Sequence, residues 1–476
     1  MSKLFNAVNR NQTVTENGMA TLTSSLSKCV DLFFKAGASR GKFDALKPTL
    51  SGAFAEDLDT AVRIVLWMRD AREGAGERDL FKDAIKYAFA EGSITKEQGD
   101  RIVLRVPELG RWDDLFAFIG TPSEKTALEL FAGAVRSGNG LAAKWAARKG
   151  PNAEWLRKGM GLTPRQYRKL IVANTNVVET LMCAKQWDSI DFGKLPSVAA
   201  ARYQKAFWRN AKDSYEAYIA GLQKGTEKIN AGAVYPYDVV KSAIAGKEAV
   251  ANEQWKALPD YMEGSETRGI LPVVDVSGSM TCKAGGYGSN SAVTCMDVAV
   301  SLGLYLSERN RGIFKDQFIT FSGQPEMIKV AGTLRQRINQ MIKSDWGMNT
   351  NLEAVFRLIL SSAVSGNVPE SEMPDTVLIL SDMQFDYATG SGYGVRGNPT
   401  SFEMIRNQYE KAGYQLPKLV YWNINAKAGV PVEFDQSGAA LVSGFSPAIM
   451  RSVIRAEQFT PEAVMNQTIQ NERYDW

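Results

Sequence analysis

The sequence of 476 residues contains no histidine. This absence excludes catalytic triads and dyads built on histidine, HExxH zinc sites and imidazole general bases. Any chemistry must therefore use carboxylates, hydroxyls, lysines or a hard cation held by oxygen atoms. Most classes of hydrolase are excluded on this ground.

Cysteine is scarce, and Cys29, Cys183, Cys282 and Cys295 lie far apart with no CxxC pair. This spacing argues against a zinc site or a disulfide framework and favours a reducing compartment. No stretch approaches the roughly 18 apolar residues of a membrane span, and the N-terminus lacks the apolar core of a signal peptide. We therefore expect a soluble, cytoplasmic protein with no membrane association.

The composition is typical of a folded protein, with 45% hydrophobic and 23% charged residues, and the length allows about two to four domains. The formal net charge of +4 is unevenly distributed. Residues 101–250 hold 23 basic and 14 acidic side chains, whereas the residues after 270 carry a slight acidic excess. The first half of the chain therefore favours an anionic partner.

Up to about residue 265 the apolar residues follow a helical period, as between Leu58 and Leu66. Further helices are predicted at roughly 124–136, 141–149, 164–185, 197–223 and 237–258. Short breaks that contain Gly, Pro or Asn separate these helices. We therefore predict an α-helical repeat domain over residues 1–265.

After residue 265 the pattern changes to short apolar runs that alternate with helices. Buried parallel strands are predicted at 269–276, 316–322, 375–382 and 418–425. The helices between and after them are predicted at about 293–309, 333–344, 351–364, 400–412 and 446–456. This alternation predicts an α/β, doubly wound, Rossmann-like domain over residues 266–476, which would bind ligands at the carboxyl ends of its strands.

Oxygen-bearing side chains follow the predicted strand ends. They are Asp275, Ser277, Ser279, Thr350 and Asp382. Because parallel strands end at the same edge of a sheet, these side chains can converge there, and two carboxylates with three hydroxyls suit Mg²⁺ or another divalent cation. The alternative is that residues 275–279 form only a polar turn and helix cap. We favour the metal site.

This pattern resembles a von Willebrand factor A domain with a metal-ion-dependent adhesion site. The DxSxS element of that family corresponds to Asp275, Ser277 and Ser279, and the resemblance assigns its loop threonine to Thr350 and its loop aspartate to Asp382. An open metal position would accept an acidic group from a protein partner. The glycine-rich stretch 281–294 departs from the family; it is either a lid over the metal or a disordered loop, and we favour the loop.

Several short motifs precede and accompany this domain, at 68–81, 105–116, 141–150 and 381–386. With them the chain resembles the Ro ribonucleoprotein autoantigen family, whose shared module is called TROVE, and more narrowly a prokaryotic and phage branch related to it. The resemblance implies HEAT-like helical repeats arranged as a ring, closed by the A domain, that bind noncoding or misfolded RNA. The hydrophobic periodicity alone does not distinguish a closed ring from an open solenoid.

Two basic stretches with interleaved aromatic residues supply candidate RNA contacts. The candidates are Lys144, Arg148, Lys149, Arg157, Lys158, Arg165, Arg168, Lys169, Arg202, Lys205 and Arg209. Such side chains bind phosphates, and neighbouring aromatic rings can stack on bases. The alternative is that the aromatic residues are core and the basic residues are a solvated face.

These observations favour a non-enzymatic RNA-binding protein. A second hypothesis is a metal-dependent protein-interaction module, such as a phage structural or assembly component, that binds no RNA. A third is a metal-dependent phosphodiesterase that uses Asp275, Asp382 and Asp386. The third is least favoured, because the sequence shows one convincing ion site and no positioned nucleophile.

Overall fold

The computed structural model describes residues 11–175, 177–263, 269–284, 291–311, 313–321, 324–343, 350–386, 399–427 and 429–476. The predicted 281–294 loop therefore lies partly outside the described residues. Within these ranges, none of the helices combines the length and apolar character that a membrane span requires.

The part of the chain before residue 264 is mostly helical. Its helices are α1 (Lys28–Ala36), α2 (Phe43–Glu56), α3 (Leu58–Arg69), α4 (Arg78–Ala90), α5 (Lys96–Leu109), α6 (Glu124–Arg136), α7 (Gly140–Trp145), α8 (Pro151–Gly159), α9 (Pro164–Asn174), α10 (Val178–Cys183), α11 (Ser197–Asn210), α12 (Lys212–Lys224), α13 (Pro236–Ile244) and α14 (Glu248–Ala257). Consecutive helices pack against each other, as α1 does on α2 and α3 on α4. The prediction of a helical first half is confirmed.

Three predicted helices are each broken into two, and one of them, 237–258, divides between α13 and α14 at residues 245–247, which include Gly246. The span 164–185 divides after α9, where the Thr175 hydroxyl donates to the Ile171 carbonyl oxygen and the backbone leaves the helical region. The span 197–223 divides at Ala211, whose φ of −140° and ψ of 43° are not helical. Sequence patterns missed the breaks after α9 and at Ala211 because neither contains the glycine or proline that usually marks one, whereas the third break does contain a glycine.

A six-stranded mixed sheet forms the second part of the described chain. Its strands are β3 (Ile270–Asp275), β4 (Gln317–Phe321), β5 (Met327–Lys329), β6 (Thr376–Ser381), β7 (Lys418–Asn423) and β8 (Ala439–Ser443). Their order across the sheet is β5-β4-β3-β6-β7-β8, and only the edge strand β5 is antiparallel to its neighbour. All residues of β3, β6 and β8 are buried, as expected where both faces of a sheet are covered.

Helices flank this sheet; the first five agree with the predicted positions within a few residues, and the sixth was not predicted. They are α15 (Cys295–Arg309), α16 (Leu334–Lys343), α17 (Leu352–Ser365), α18 (Ser401–Ala412), α19 (Met450–Arg455) and α20 (Pro461–Ile469). In the sheet, β4 lies on one side of β3 and β6 lies on the other side of β3. The topological switch point therefore lies between β3 and β6, where doubly wound sheets bind their ligands.

The two parts share one hydrophobic core, and each terminus packs on the other part. An N-terminal hairpin of β1 (Gln12–Val14) and β2 (Ala20–Leu22) bridges to Val430, and α1 contacts β8. The C-terminal residues return to the helical part, where Asp70 accepts hydrogen bonds from Arg473 at 2.5 and 2.8 Å and from the Tyr474 hydroxyl at 2.9 Å.

Candidate functional site

The carboxylate of Asp275 lies at the switch point and organises the loop after β3. Its Oδ1 accepts from the Ser277 backbone N–H at 2.9 Å, and its Oδ2 accepts from the Ser381 hydroxyl at 2.6 Å. The Ser277 and Ser279 hydroxyl oxygens are 3.0 Å apart. The loop therefore folds its oxygen side chains together at the ends of β3 and β6.

Asp382 follows β6 and is fully buried. Its Oδ2 lies 3.2 Å from the Lys427 ammonium but makes no hydrogen bond of good geometry in the described structure. Lys427 also lies 2.7 Å from the Glu16 carboxylate. Burial lowers the pKa of Lys427, but the carboxylates of Asp382 and Glu16 outweigh burial and raise it overall, so the lysine is charged.

Two carboxylates, Asp275 and Asp382, are buried close together at the switch point. Burial, and secondly the Asp382 carboxylate, raise the pKa of Asp275 to about 7. An oxygen-rich cluster with a buried carboxylate oxygen that lacks a good hydrogen bond fits a hard divalent cation. The Lys427 ammonium already balances part of the negative charge of the two carboxylates, so a divalent cation would compete with Lys427 for Asp382.

Thr350 is the remaining predicted ligand, and its side chain is buried. Its carbonyl oxygen accepts from the Asp386 backbone N–H at 2.9 Å, which connects it to the loop after β6. The residues just before it, 344–349, lie outside the described part. Asp275, Ser277, Ser279 and Asp382 therefore follow the ends of β3 and β6, and the Thr350 backbone contacts the loop after β6; their role as metal ligands stays a prediction.

The N-terminal hairpin also covers the loop after β6, which the sequence did not predict. The Thr15 hydroxyl donates to the Phe385 carbonyl at 2.6 Å, and the Glu16 backbone N–H donates to the Gln384 side chain at 2.7 Å. The Asn17 amide donates to the Gln384 carbonyl at 2.8 Å. No local sequence signal indicates such contacts, because they join residues about 370 positions apart.

Two cysteines meet beside the loop after β3. The Sγ atoms of Cys282 and Cys295 are 3.6 Å apart, and both residues are free thiols. The hydrogen bond between them lowers the pKa of Cys282 to about 7 and raises that of Cys295. An isolated β-bridge between Lys283 and Thr294, the chain neighbours of the two cysteines, holds the cysteines close together. Their separation of 13 residues gave no motif in the sequence.

The first basic stretch occupies α7, α8, α9 and the turns between them. Its exposed members are Arg148, Lys149, Lys158, Arg165, Arg168 and Lys169. Lys144 and Arg157 are only partly exposed, because Lys144 pairs with Glu179 at 3.3 Å and Arg157 donates to the Leu162 carbonyl at 2.8 Å. The structure thus places most of the predicted contacts on solvent-facing positions, which is compatible with phosphate binding.

The aromatic residues of this stretch are mostly structural. Tyr167 is buried and donates to the Ala147 carbonyl at 2.8 Å, and the Trp155 indole donates to Glu124 at 2.7 Å. Trp145 carries the Arg111 guanidinium 3.8 Å above its ring. These rings are held by protein contacts, so the expectation of free stacking platforms is not supported here.

The second basic stretch lies on α11. Arg202, Lys205 and Arg209 are exposed on this helix, while Phe207 is buried in a small separate core. Trp208 is exposed at its edge. This helix therefore offers three cations and one accessible indole ring.

The fold and the site define a class of protein in which a helical part joins a mixed sheet with carboxylates and hydroxyls at its switch point. The chain belongs to the family of the uncharacterized protein L728 of Acanthamoeba polyphaga mimivirus. It is 30% identical to that protein over 515 residues, which cover 96% of this chain and 86% of the viral protein.

Two family descriptions match parts of the chain. Residues 270–475 match a domain of unknown function (DUF7788), and residues 15–91 and 160–267 match a second domain of unknown function (DUF2828). Among solved structures, the crystal structure of the Deinococcus radiodurans RO (RSR) protein is similar over 90% of both chains, with 15% identity and a TM-score of 0.40. A TM-score this low establishes neither a shared fold nor a shared function.

Proposed function

We propose that the protein binds single-stranded regions of noncoding or misfolded RNA through the basic face of its helical part. The observation that carries this proposal is the set of exposed cations on α8, α9 and α11. Those with neither an ion pair nor a side-chain hydrogen bond within the described residues are Lys149, in the turn before α8, and Arg165, Arg168, Lys169, Lys205 and Arg209.

Exposed cationic side chains without a carboxylate partner can bind the phosphates of a nucleic acid directly. A lysine or arginine already paired with a carboxylate must lose that partner before it binds phosphate, whereas these six need not. Binding releases counterions from the nucleic acid, so the affinity falls steeply with salt. The resemblance of the motifs at 68–81, 105–116 and 141–150 to the Ro family supports RNA over other polyanions, and would make the helical part a HEAT-like ring.

The direct test is fluorescence anisotropy with the full chain and labelled RNA. We expect single-stranded RNA to bind more tightly than duplex RNA of the same length, with affinity that falls as salt rises. A matched DNA strand measures how far the 2′-hydroxyl contributes. Affinity that is absent, or that does not respond to salt, would contradict the proposal.

We propose a second function for the switch point, which is metal-dependent capture of an acidic group from a protein partner. The cluster of Asp275, Ser277, Ser279 and Asp382 supports it. With Thr350, these residues would hold Mg²⁺ in the manner of a von Willebrand factor A domain. The bound ion would supply an electrophilic position for a partner's carboxylate.

Metal binding can be tested by thermal unfolding with and without millimolar Mg²⁺. A ligand that binds only the folded chain raises its melting temperature. We expect Mg²⁺ to raise the melting temperature of wild type and to leave that of Asp275→Ala and Ser279→Ala unchanged. The matched control is Asp386→Asn, which should keep the rise, because the Asp386 backbone is fixed by Thr350 and Gly18. An equal response in all variants, or none in wild type, would contradict the metal site.

The phosphodiesterase hypothesis lacks a comparable structural basis. Hydrolysis assisted by metal ions often uses two ions about 3.5–4 Å apart, which would require Asp386 as a further ligand. Instead the Asp386 carboxylate is hydrogen-bonded to the Asn17 side chain of the N-terminal hairpin, and the Asp386 backbone bridges to Gly18. We therefore favour a non-enzymatic role. Magnesium-dependent cleavage of RNA that is lost in Asp382→Ala would reverse this preference.

A further inference from the structure

A cavity of about 360 Å³ opens where the α7–α8 turn, α8 and α9 meet. Ligand pockets in proteins run from about 300 to 1,000 Å³, so this volume suits one small ligand and not a folded RNA element. Its walls belong to the first basic stretch. The size and place of the cavity therefore suggest a ligand of the dimensions of one nucleotide.

The charge of the lining favours an anion. Arg148, Lys149, Arg157 and Arg168 line the cavity, and the single acidic residue among its lining residues is Glu154. Glu154 is already neutralised by Arg157 at 3.4 Å and by Lys158 at 3.0 Å. The cations at positions 148, 149 and 168 make no ion pair in the described structure, which leaves them available to a phosphate group.

The remaining walls are apolar. Ala153, Tyr167 and Ile171 are buried side chains that line the cavity, and the exposed Val172 contributes another apolar wall. Tyr167 is fixed by the hydrogen bond from its hydroxyl to the Ala147 carbonyl. Such walls can pack against the flat face of a base or against a ribose, whereas an inorganic anion would leave them unused.

The backbone at the entrance adds to the positive potential. Gly150 precedes the first turn of α8 and has a φ of 78°, a backbone conformation that residues other than glycine rarely adopt. Gly150 also lines the cavity, so the start of α8, which has no side-chain cap, lies in the same region as the cations. Helix N-termini of this kind attract phosphate, and here the lining cations reinforce the effect.

We propose that this cavity binds one unpaired nucleotide, with its phosphate on the cations of positions 148, 149 and 168 and its base or ribose on the apolar walls. This inference rests on the proposed RNA-binding function and narrows it to a defined pocket. It implies that the protein holds a single flipped-out or terminal nucleotide of a bound RNA.

The test uses the full chain and titration calorimetry with AMP, UMP, inorganic phosphate and a phosphoserine peptide. Two variants alter the cavity: Lys149→Glu reverses a lining charge, and Val172→Trp fills the cavity without changing charge. Their matched controls are Lys224→Glu on α12 and Val198→Trp on α11, which change exposed residues of the same types outside the cavity. Circular dichroism confirms that each variant is folded.

We expect the mononucleotides to bind wild type more tightly than inorganic phosphate and the peptide. Each cavity variant should weaken mononucleotide binding on the order of tenfold or more, as loss of one good contact does, and the controls should stay within about twofold of wild type. Mononucleotides that bind no better than phosphate or the peptide, or cavity variants that match their controls, would overturn the inference.

RNA binding measured in parallel separates the two proposals. If RNA binds with a steep salt dependence while AMP and UMP do not bind, the cavity inference fails and the RNA-binding function stands. If the mononucleotides bind in the cavity while RNA does not bind, the cavity is a nucleotide site and the proposed RNA function fails.

Discussion

Neutralising three cations on α9 should flatten the salt dependence of RNA binding. The variant carries Arg165→Gln, Arg168→Gln and Lys169→Gln, which remove exposed charges without an ion pair in the described structure. Each is on the solvent side of a helix that Tyr167 and Ile171 anchor in the core, so glutamine should leave the fold unchanged.

The size of the effect follows from the number of contacts. For single-stranded nucleic acid, each phosphate contact contributes about 0.7 to the slope of log affinity against log salt. If all six unpaired cations bind phosphate, wild type should lose roughly 300-fold in affinity between about 50 and 200 mM salt. The variant retains three contacts and should lose only roughly 20-fold over that range.

The assay is the anisotropy titration repeated at five or more salt concentrations. The matched control neutralises Lys96, Lys125 and Lys212, which are exposed but each paired with an acid on the same helix. It changes the net charge by the same amount and should keep the wild-type slope. Equal slopes for the α9 variant and the control would refute the assignment of the basic face.

Two further predictions concern the packing of the chain. Asp70→Ala should lower the free energy of unfolding by about 3 kcal/mol or more, measured by urea denaturation, because Arg473 and Tyr474 lose a buried partner; an unchanged midpoint would contradict it. Diamide should oxidise Cys282 and Cys295 to a disulfide, since their sulfur atoms are 3.6 Å apart. Two electrons and two protons pass to the reagent, and mass spectrometry should find the joined peptides two hydrogen atoms lighter; peptides that stay separate would contradict the geometry.

Local patterns were sufficient to predict the larger elements. The strands β3, β4, β6 and β7 are continuous apolar runs, and the helices between them start at polar capping residues such as Thr294 and Thr400. The switch-point cluster followed from the same reasoning, because side chains that end parallel strands must lie at one edge. The short strands β5 and β8 were missed.

The rest of the site depends on contacts between distant parts of the chain. Lys427 gave no signal in the sequence, although it pairs with both Asp382 and Glu16. Glu16 lies more than 400 residues from it, on a hairpin whose three-residue strands are too short for a periodicity to be recognised. The cavity beside Arg168 is more local, but it forms only when α8, α9 and the turn before α8 pack together, which no pattern within one helix indicates.

The measurement that tests the central claim most directly is to purify the full chain at low salt and sequence the nucleic acid bound to it. The comparison is a variant in which Lys149, Arg165, Arg168 and Lys169, four of the six unpaired cations, are neutralised. We expect a discrete set of RNAs with wild type that the variant loses. Protein free of RNA, together with no salt-dependent binding to added RNA, would contradict the account and favour metal-mediated capture of a protein partner.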